Sequence, residues 1–281
     1  MKKGISIWAF PSDWSLERVF SLAVEAGFQG IELAYDLKGN VHADSSAAEL
    51  KAIQKQATRA GLELSSLATG VFWQVNLISD SDEERTKAKY HLNQLLRCAS
   101  DLQVGCVLVV PGFVGPFETG APVVRDYDTA FKRAVSDFQE AAGVAKELGV
   151  AIGIENVWNK FLSSAWEMRA FIDNVCSPFV GSYFDVGNCL RSGYPEQWIR
   201  MLGSRIKAIH FKDFRVNVGN LNGFVDLFEG DVDYPAVISA LKEISYAGYC
   251  VVEVFSRSRY PENVVLRAGV DISRIFKEGG I

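Results

Sequence analysis

Eight apolar runs of strand length alternate with eight amphipathic stretches of helix length, and this alternation restricts the fold more than any other feature of the chain. The runs are Gly4–Trp8, Gly30–Ala34, Glu63–Ala68, Cys106–Val110, and four more that end at Glu155, Asp185, His210 and Glu253. Helices are expected from near Ser15 to a stop at Gly27, after Asp44-Ser45-Ser46 to Gly61, from about Asp82 to Leu102, and from Tyr127 to Leu148 before Gly149. Further helices are expected from Ser164 to Asn174, from near Pro195, from Tyr234 to Ser245 and from Pro261 to Phe276. The boundaries follow from capping chemistry. Ser and Asp side chains accept the unpaired first-turn N–H groups, Pro is tolerated in the first turn, and Gly closes the last turn in the left-handed region.

Repeated strand–helix units with short connections make a parallel sheet. Eight of them in 281 residues, near the ~250 of a TIM barrel, predict a closed (β/α)8 barrel that fills residues 1–281 as a single domain. An open doubly wound sheet would need a glycine-rich phosphate turn after its first strand, and Ala-Phe-Pro-Ser-Asp-Trp14 holds none. The stretch from Phe211 to Asp233 is the one extended loop, and its length marks it as functional.

The last four runs carry the chemistry. They read Ala-Ile-Gly-Ile-Glu155, Gly-Ser-Tyr-Phe-Asp185, Lys-Ala-Ile-His210 and Cys-Val-Val-Glu253. Strands buried on both faces are continuously apolar, so a charged terminal residue is leaving the core. In a barrel of this kind those ends converge on the catalytic face. Taken singly, Asp185 could merely open the turn Asp-Val-Gly-Asn188, and Glu155 could cap something local. Four consecutive strands ending on ligand-type side chains predict instead one site for a divalent cation, held by Glu155, Asp185, His210 and Glu253. Three carboxylates and one imidazole favour Mn²⁺, Co²⁺, Mg²⁺ or Zn²⁺ over Ca²⁺. A closed structural zinc site would use cysteines.

Composition excludes other classes. The net charge of -5 and the lack of a basic run argue against a nucleic-acid partner, and no apolar run approaches the ~18 residues of a membrane span. Five cysteines without a CxxC pair suggest a reduced, cytoplasmic protein. A homo-oligomer is compatible with the sequence.

The stretches Gly-Ile-Glu155-Asn, Tyr-Phe-Asp185-Val-Gly-Asn188, Ile-His210-Phe-Lys212-Asp213, Glu229-Gly-Asp231-Val-Asp-Tyr234 and Val-Glu253 resemble the xylose-isomerase-like family of sugar isomerases and epimerases. The run His-x-Lys-Asp followed by Glu-Gly-x-Val-Asp-Tyr looks like the L-xylulose-5-phosphate 3-epimerases. Ketose 3-epimerases of the D-tagatose type share the four ligands more distantly, and they carry His where this chain has Asn188. The resemblance implies 3-epimerisation of a ketose or ketose phosphate through a metal-stabilised enediolate, with Glu155 and Glu253 as the acid/base pair. Epimerisation beside a carbonyl needs a base on one face of the carbon and an acid on the other. Other readings on the same barrel are an inosose-type polyol dehydratase and a non-catalytic sugar-binding protein. A type IV endonuclease is disfavoured, because such enzymes assemble several zinc ions with more histidines than the three present here.

Candidate substrate contacts are Asn188, Lys212, Arg215, Trp158 and Trp8. Lys212 and Arg215 follow the metal histidine and are placed to meet a phosphate, while Trp8, Trp14, Trp73 and Trp158 lie at strand ends where aromatics wall a sugar pocket. Glu118 could gate the site from its loop. Glu229 and Asp231 either order the long loop or touch substrate. His42 and His91 have no ligand-like setting.

Overall fold

The computed structural model describes residues 1–115, 124–255 and 259–281. Its strands are β1 (Lys2–Ser6), β2 (Gly30–Tyr35), β3 (Glu63–Thr69), β4 (Cys106–Val109), β5 (Ala151–Glu155), β6 (Val180–Asp185), β7 (Ile206–Phe211), β8 (Asp213–Phe214), β9 (Phe224–Val225) and β10 (Tyr249–Val252). Eight of them close into one parallel barrel in the order β1-β10-β7-β6-β5-β4-β3-β2. Closure is made by Gly4, which pairs with Val251 on one side and Gly30 on the other. β8 and β9 form a separate antiparallel ribbon over the mouth, with Asp213 opposite Val225.

The surrounding helices are α1 (Leu16–Glu25), α2 (Ala47–Ala60), α3 (Asp82–Asp101), α4 (Tyr127–Leu148), α5 (Ala165–Val175), α6 (Val186–Cys189), α7 (Pro195–Leu202), α8 (Tyr234–Glu243) and α9 (Pro261–Glu278). Their ends follow the sequence chemistry. Ser46 and Glu49 form a reciprocal capping box at the start of α2, and Gly61 and Gly149 close α2 and α4 with positive φ. The apolar helix faces bury Phe138 and Phe171 edge-to-face, 5.6 Å apart, outside the barrel wall.

Two expectations change. The first strand is Lys2–Ser6 and not Gly4–Trp8, because Ile7–Ala9 forms a 3-10 turn in which the Ser6 hydroxyl accepts from the Trp8 N–H. A short helix absent from the sequence reading, α6, follows β6 directly and is capped by Asp185 itself. Register shifts at Ile31/Glu32 and Ser182/Tyr183 interrupt β2 and β6. Such irregularities re-aim side chains, and these two lie at residues that meet below the site.

Candidate metal centre and cavity

In register, Asp185 pairs with His210 and His210 with Val251, two residues before Glu253, so neighbouring strands deliver their side chains to one place. One ligand atom from each of Glu155, Asp185, His210 and Glu253 lies within 4.8 Å of the others. His210 Nδ1 is the hub, 3.2 Å from Glu253 Oε2, 3.6 Å from Glu155 Oε1 and 3.9 Å from Asp185 Oδ2. All four residues are buried. Glu253 stands one residue beyond β10, held by its N–H donating to the Phe211 carbonyl.

Three buried atoms face the centre, Asp185 Oδ2, His210 Nδ1 and Glu253 Oε2, and the carboxylate oxygens among them are approached by the Lys212 ammonium and the His210 ring. Polar atoms buried in this way are costly unless something satisfies them. A dication placed among them would do so, and oxygen ligands with one imidazole form a fitting donor set. Asp185 also answers the simpler reading of its sequence: Oδ1 accepts from the Asn188 N–H at 2.7 Å and opens the turn, while Oδ2 faces the cluster. The two roles coexist.

The residue beneath the cluster escaped the sequence reading. Glu32, in the middle of β2, is fully buried, with Oε1 2.9 Å from His210 Nε2. Its Oε2 accepts from the Ser66 hydroxyl at 2.8 Å and from the Tyr183 hydroxyl. A carboxylate on Nε2 fixes the ring and aims Nδ1 at the carboxylates, as outer partners of metal-binding histidines do. One signal was available, a single acid inside the apolar run Gly-Ile-Glu32-Leu-Ala-Tyr35, which burial obliges to find a partner.

The two glutamates differ in proton affinity. Burial, with the Glu253 charge adding to it, pushes Glu155 up to about 7 against the pull of His210 and Lys212. For Glu253 burial acts in the same direction, but Lys212 and His210 outweigh it and hold the carboxyl well below the usual range. Burial opposes the charge on His210, yet Glu32 and Glu253 overcome that and keep the ring protonated well above its ordinary range.

Lys212 is buried, and its ammonium lies 2.6 Å from Glu253 Oε2 and 3.4 Å from Asp185 Oδ2. Gly187 permits this approach, since a Cβ there would sit 3.0 Å from the Lys212 backbone and stem. Lys212 is therefore part of the cluster and not a loop cation reaching outward. Arg215 is separated from it: exposed, it donates from Nε to the Glu229 carbonyl at 2.8 Å and does not line the cavity. Glu229 pairs with Arg267 and Asp231 accepts from the Val216 N–H, so both order the loop. Buried Asp213 accepts from the N–H groups of Gly230 and Val232 and ties the loop down.

A cavity of about 1030 Å³ opens above the cluster, and Glu155, Glu253, Asn188, Lys212, Trp8 and Trp158 line it. The Asn188 amide reaches 3.4 Å from Glu155 Oε1, and Trp158 Nε1 donates to the Asn188 carbonyl at 2.8 Å. Trp14 and Trp73 line the same space. His91 is buried with its Nδ1 2.9 Å from the Tyr35 hydroxyl, and His42 accepts locally from the Asp44 N–H. Glu118 lies outside the described residues.

The chain is 24% identical over 285 residues to a protein of Escherichia coli strain K12 provisionally named as an L-ribulose-5-phosphate 3-epimerase, covering 99% of this chain and 97% of that one. In structure it is similar to the D-psicose 3-epimerase of Clostridium cellulolyticum H10 solved with D-tagatose (TM-score 0.80, 20% identity, 98% of each chain). It is also similar to the IOLI protein solved with a bound zinc atom (TM-score 0.79, 18% identity, 99% of each chain). A family profile matches residues 20–275, and the chain belongs to the family of xylose isomerase-like TIM barrels.

Proposed function

We propose that this chain is a divalent-metal-dependent 3-epimerase of a ketose or ketose phosphate. The observation that carries the reading is the pairing of Glu155 and Glu253 in one cluster of metal-type donors, both lining the cavity. Epimerisation beside a carbonyl needs a base on one face of the carbon and an acid on the other. Glu155 and Glu253 would divide these roles, one taking the proton and the other returning one to the opposite face, and the Asn188 amide can orient a sugar hydroxyl near Glu155.

Glu155, Asp185, His210 and Glu253 would hold the metal, Mn²⁺, Co²⁺, Mg²⁺ or Zn²⁺ by donor type. When bound it supplies Lewis-acid stabilisation of the negative charge that develops on the substrate oxygens. All five cysteines are free, and no helix among the described residues is long and apolar enough to cross a membrane. We place the protein in the cytoplasm on the cysteine chemistry.

The test is a set of ketoses and ketose phosphates incubated with the Mn²⁺-loaded protein in D₂O and read by NMR. One substrate should gain deuterium at C3 and yield the 3-epimer. Loss of water in place of epimerisation would identify a dehydratase, and tight binding without any exchange would identify a sugar-binding protein.

A further inference from the structure

A second, smaller chamber adjoins the main cavity, between the segments that follow β5 and β6. It measures about 230 Å³, and Val157, Trp158 and Asn188 line both spaces as a shared wall. Pockets that enclose drug-sized ligands span ~300–1,000 Å³, so this one suits a group smaller than a sugar. Its lining runs against the charge of the chain. The net charge is -5, and the main cavity presents Asp13, Asp36, Glu155 and Glu253. Among the described residues the chamber is lined by Lys160, Arg191, Ser163 and Ser192, and by no carboxylate.

Two details mark the chamber as built for an anion. Lys160 pairs with no carboxylate among the described residues, and Arg191 is stacked 4.8 Å over the Trp158 ring. Trp198 is only 4% exposed and stacks on Phe184, yet its Nε1–H finds no acceptor among the described residues. That nitrogen borders the segment carrying Arg191 and Ser192, since a Cβ on Gly193 would come within 2.7 Å of it. A buried indole N–H without an acceptor is costly, and an anion in the chamber would satisfy it. The loop that carries Lys160 is also tied down. The Asn159 amide donates to the Gly112 carbonyl at 2.6 Å, and the Leu162 N–H donates to the Tyr127 hydroxyl at 3.1 Å. Lys160 and Leu162 are held at φ of 57° and 54°, a strain that persists only where surrounding contacts impose it.

We propose that this chamber is a phosphate subsite, with Lys160 and Arg191 supplying charge-assisted hydrogen bonds and the Trp198 indole a neutral donor. The phosphate has two sources. One is the terminal phosphate of a ketose phosphate whose sugar lies in the main cavity, an assignment that rests on the epimerase reading. The other is free phosphate acting as an effector across the wall of Trp158 and Asn188, which does not rest on it.

Calorimetric titration of the Mn²⁺-loaded protein with sodium phosphate tests the subsite, with circular dichroism confirming the fold of each variant. Lys160→Gln and Arg191→Gln should each weaken phosphate binding at least about fivefold. Lys38→Gln, which removes an ammonium from the lining of the main cavity, should change it less than about twofold. No affinity for phosphate, or an affinity that Lys38→Gln lowers and the chamber variants do not, would overturn the inference. Phosphate binding untouched by all three variants would overturn it too, because the anion would then sit on the metal ion. Competition names the source. If D-fructose 6-phosphate excludes phosphate while D-fructose binds beside it, the chamber holds the substrate's own phosphate. If D-fructose 6-phosphate and phosphate bind together, the chamber serves a free effector. Deuterium exchange at C3 separates the two readings. Phosphate binding that the chamber variants weaken, without exchange on any ketose, keeps the subsite and removes the epimerase, whereas exchange with phosphate binding unaltered in those variants does the reverse.

Discussion

Replacing Glu32 by Gln should weaken metal binding without unfolding the barrel. The side chain never reaches the cavity and acts through His210, whose Nε2 lies 2.9 Å from Glu32 Oε1. Gln keeps the volume and one acceptor, and its amide can be met by the Ser66 and Tyr183 hydroxyls, which can each turn to accept. What disappears is the charge that raises the basicity of the ring and holds it in place. Loss of an outer partner of a metal-binding histidine costs about 10- to 100-fold in metal affinity, or about 1.4–2.7 kcal/mol. A hydrogen bond to a charged group, at about 1.5–3 kcal/mol, gives the same range. The assay is competition for Mn²⁺ or Zn²⁺ against a chelator of known affinity, with thermal unfolding of the metal-free protein as control. Metal-saturated Glu32→Gln should retain most of its turnover, which separates a positioning residue from a catalytic one. A metal affinity within about twofold of the parent would refute the reasoning.

Other outcomes follow from the same geometry. Glu155→Gln and Glu253→Gln should each lower turnover at least ~10²-fold, and near-normal epimerisation by either would remove its acid/base role. Metal binding should release protons, because Nδ1 of His210 and the Glu155 carboxyl must both give theirs up. Since Glu155 is pushed up to about 7, the release should be larger at pH 6 than at pH 8, and affinity should climb with pH most steeply below 7. Pooled measurements in two buffers of different ionisation enthalpy would show it, and a pH-independent affinity would contradict it. Lys212→Met should impair a free ketose and its phosphate alike, since the ammonium is bound to Glu253 and Asp185, while Arg215→Ala should change KM for either less than about threefold. A selective loss on the phosphate in either variant would return these residues to the role of phosphate contact.

The sequence alone determined the barrel and four of its side chains. Alternating apolar runs and capped helices are local signals, and the caps at Ser46, Gly61 and Gly149 stand where the residues indicated. Glu155, Asp185, His210 and Glu253 were legible because each ends a run that is otherwise apolar, and the barrel's parallel register brings such ends together. Glu32 was not legible as a functional residue. Both faces of a barrel strand are buried, so periodicity cannot say whether a mid-strand acid faces the interior or the helices, and its partner His210 is 178 residues away. Lys212 and Arg215, three residues apart, could not be told apart either. Only the pairing of β8 with β9, which turns the chain over the mouth, buries one beside Glu253 and Asp185 and leaves the other on the loop. Strand ends are set by local apolar content, but which charges meet is set by register and by irregularities such as those at Glu32 and Tyr183, which exist only once the barrel has closed.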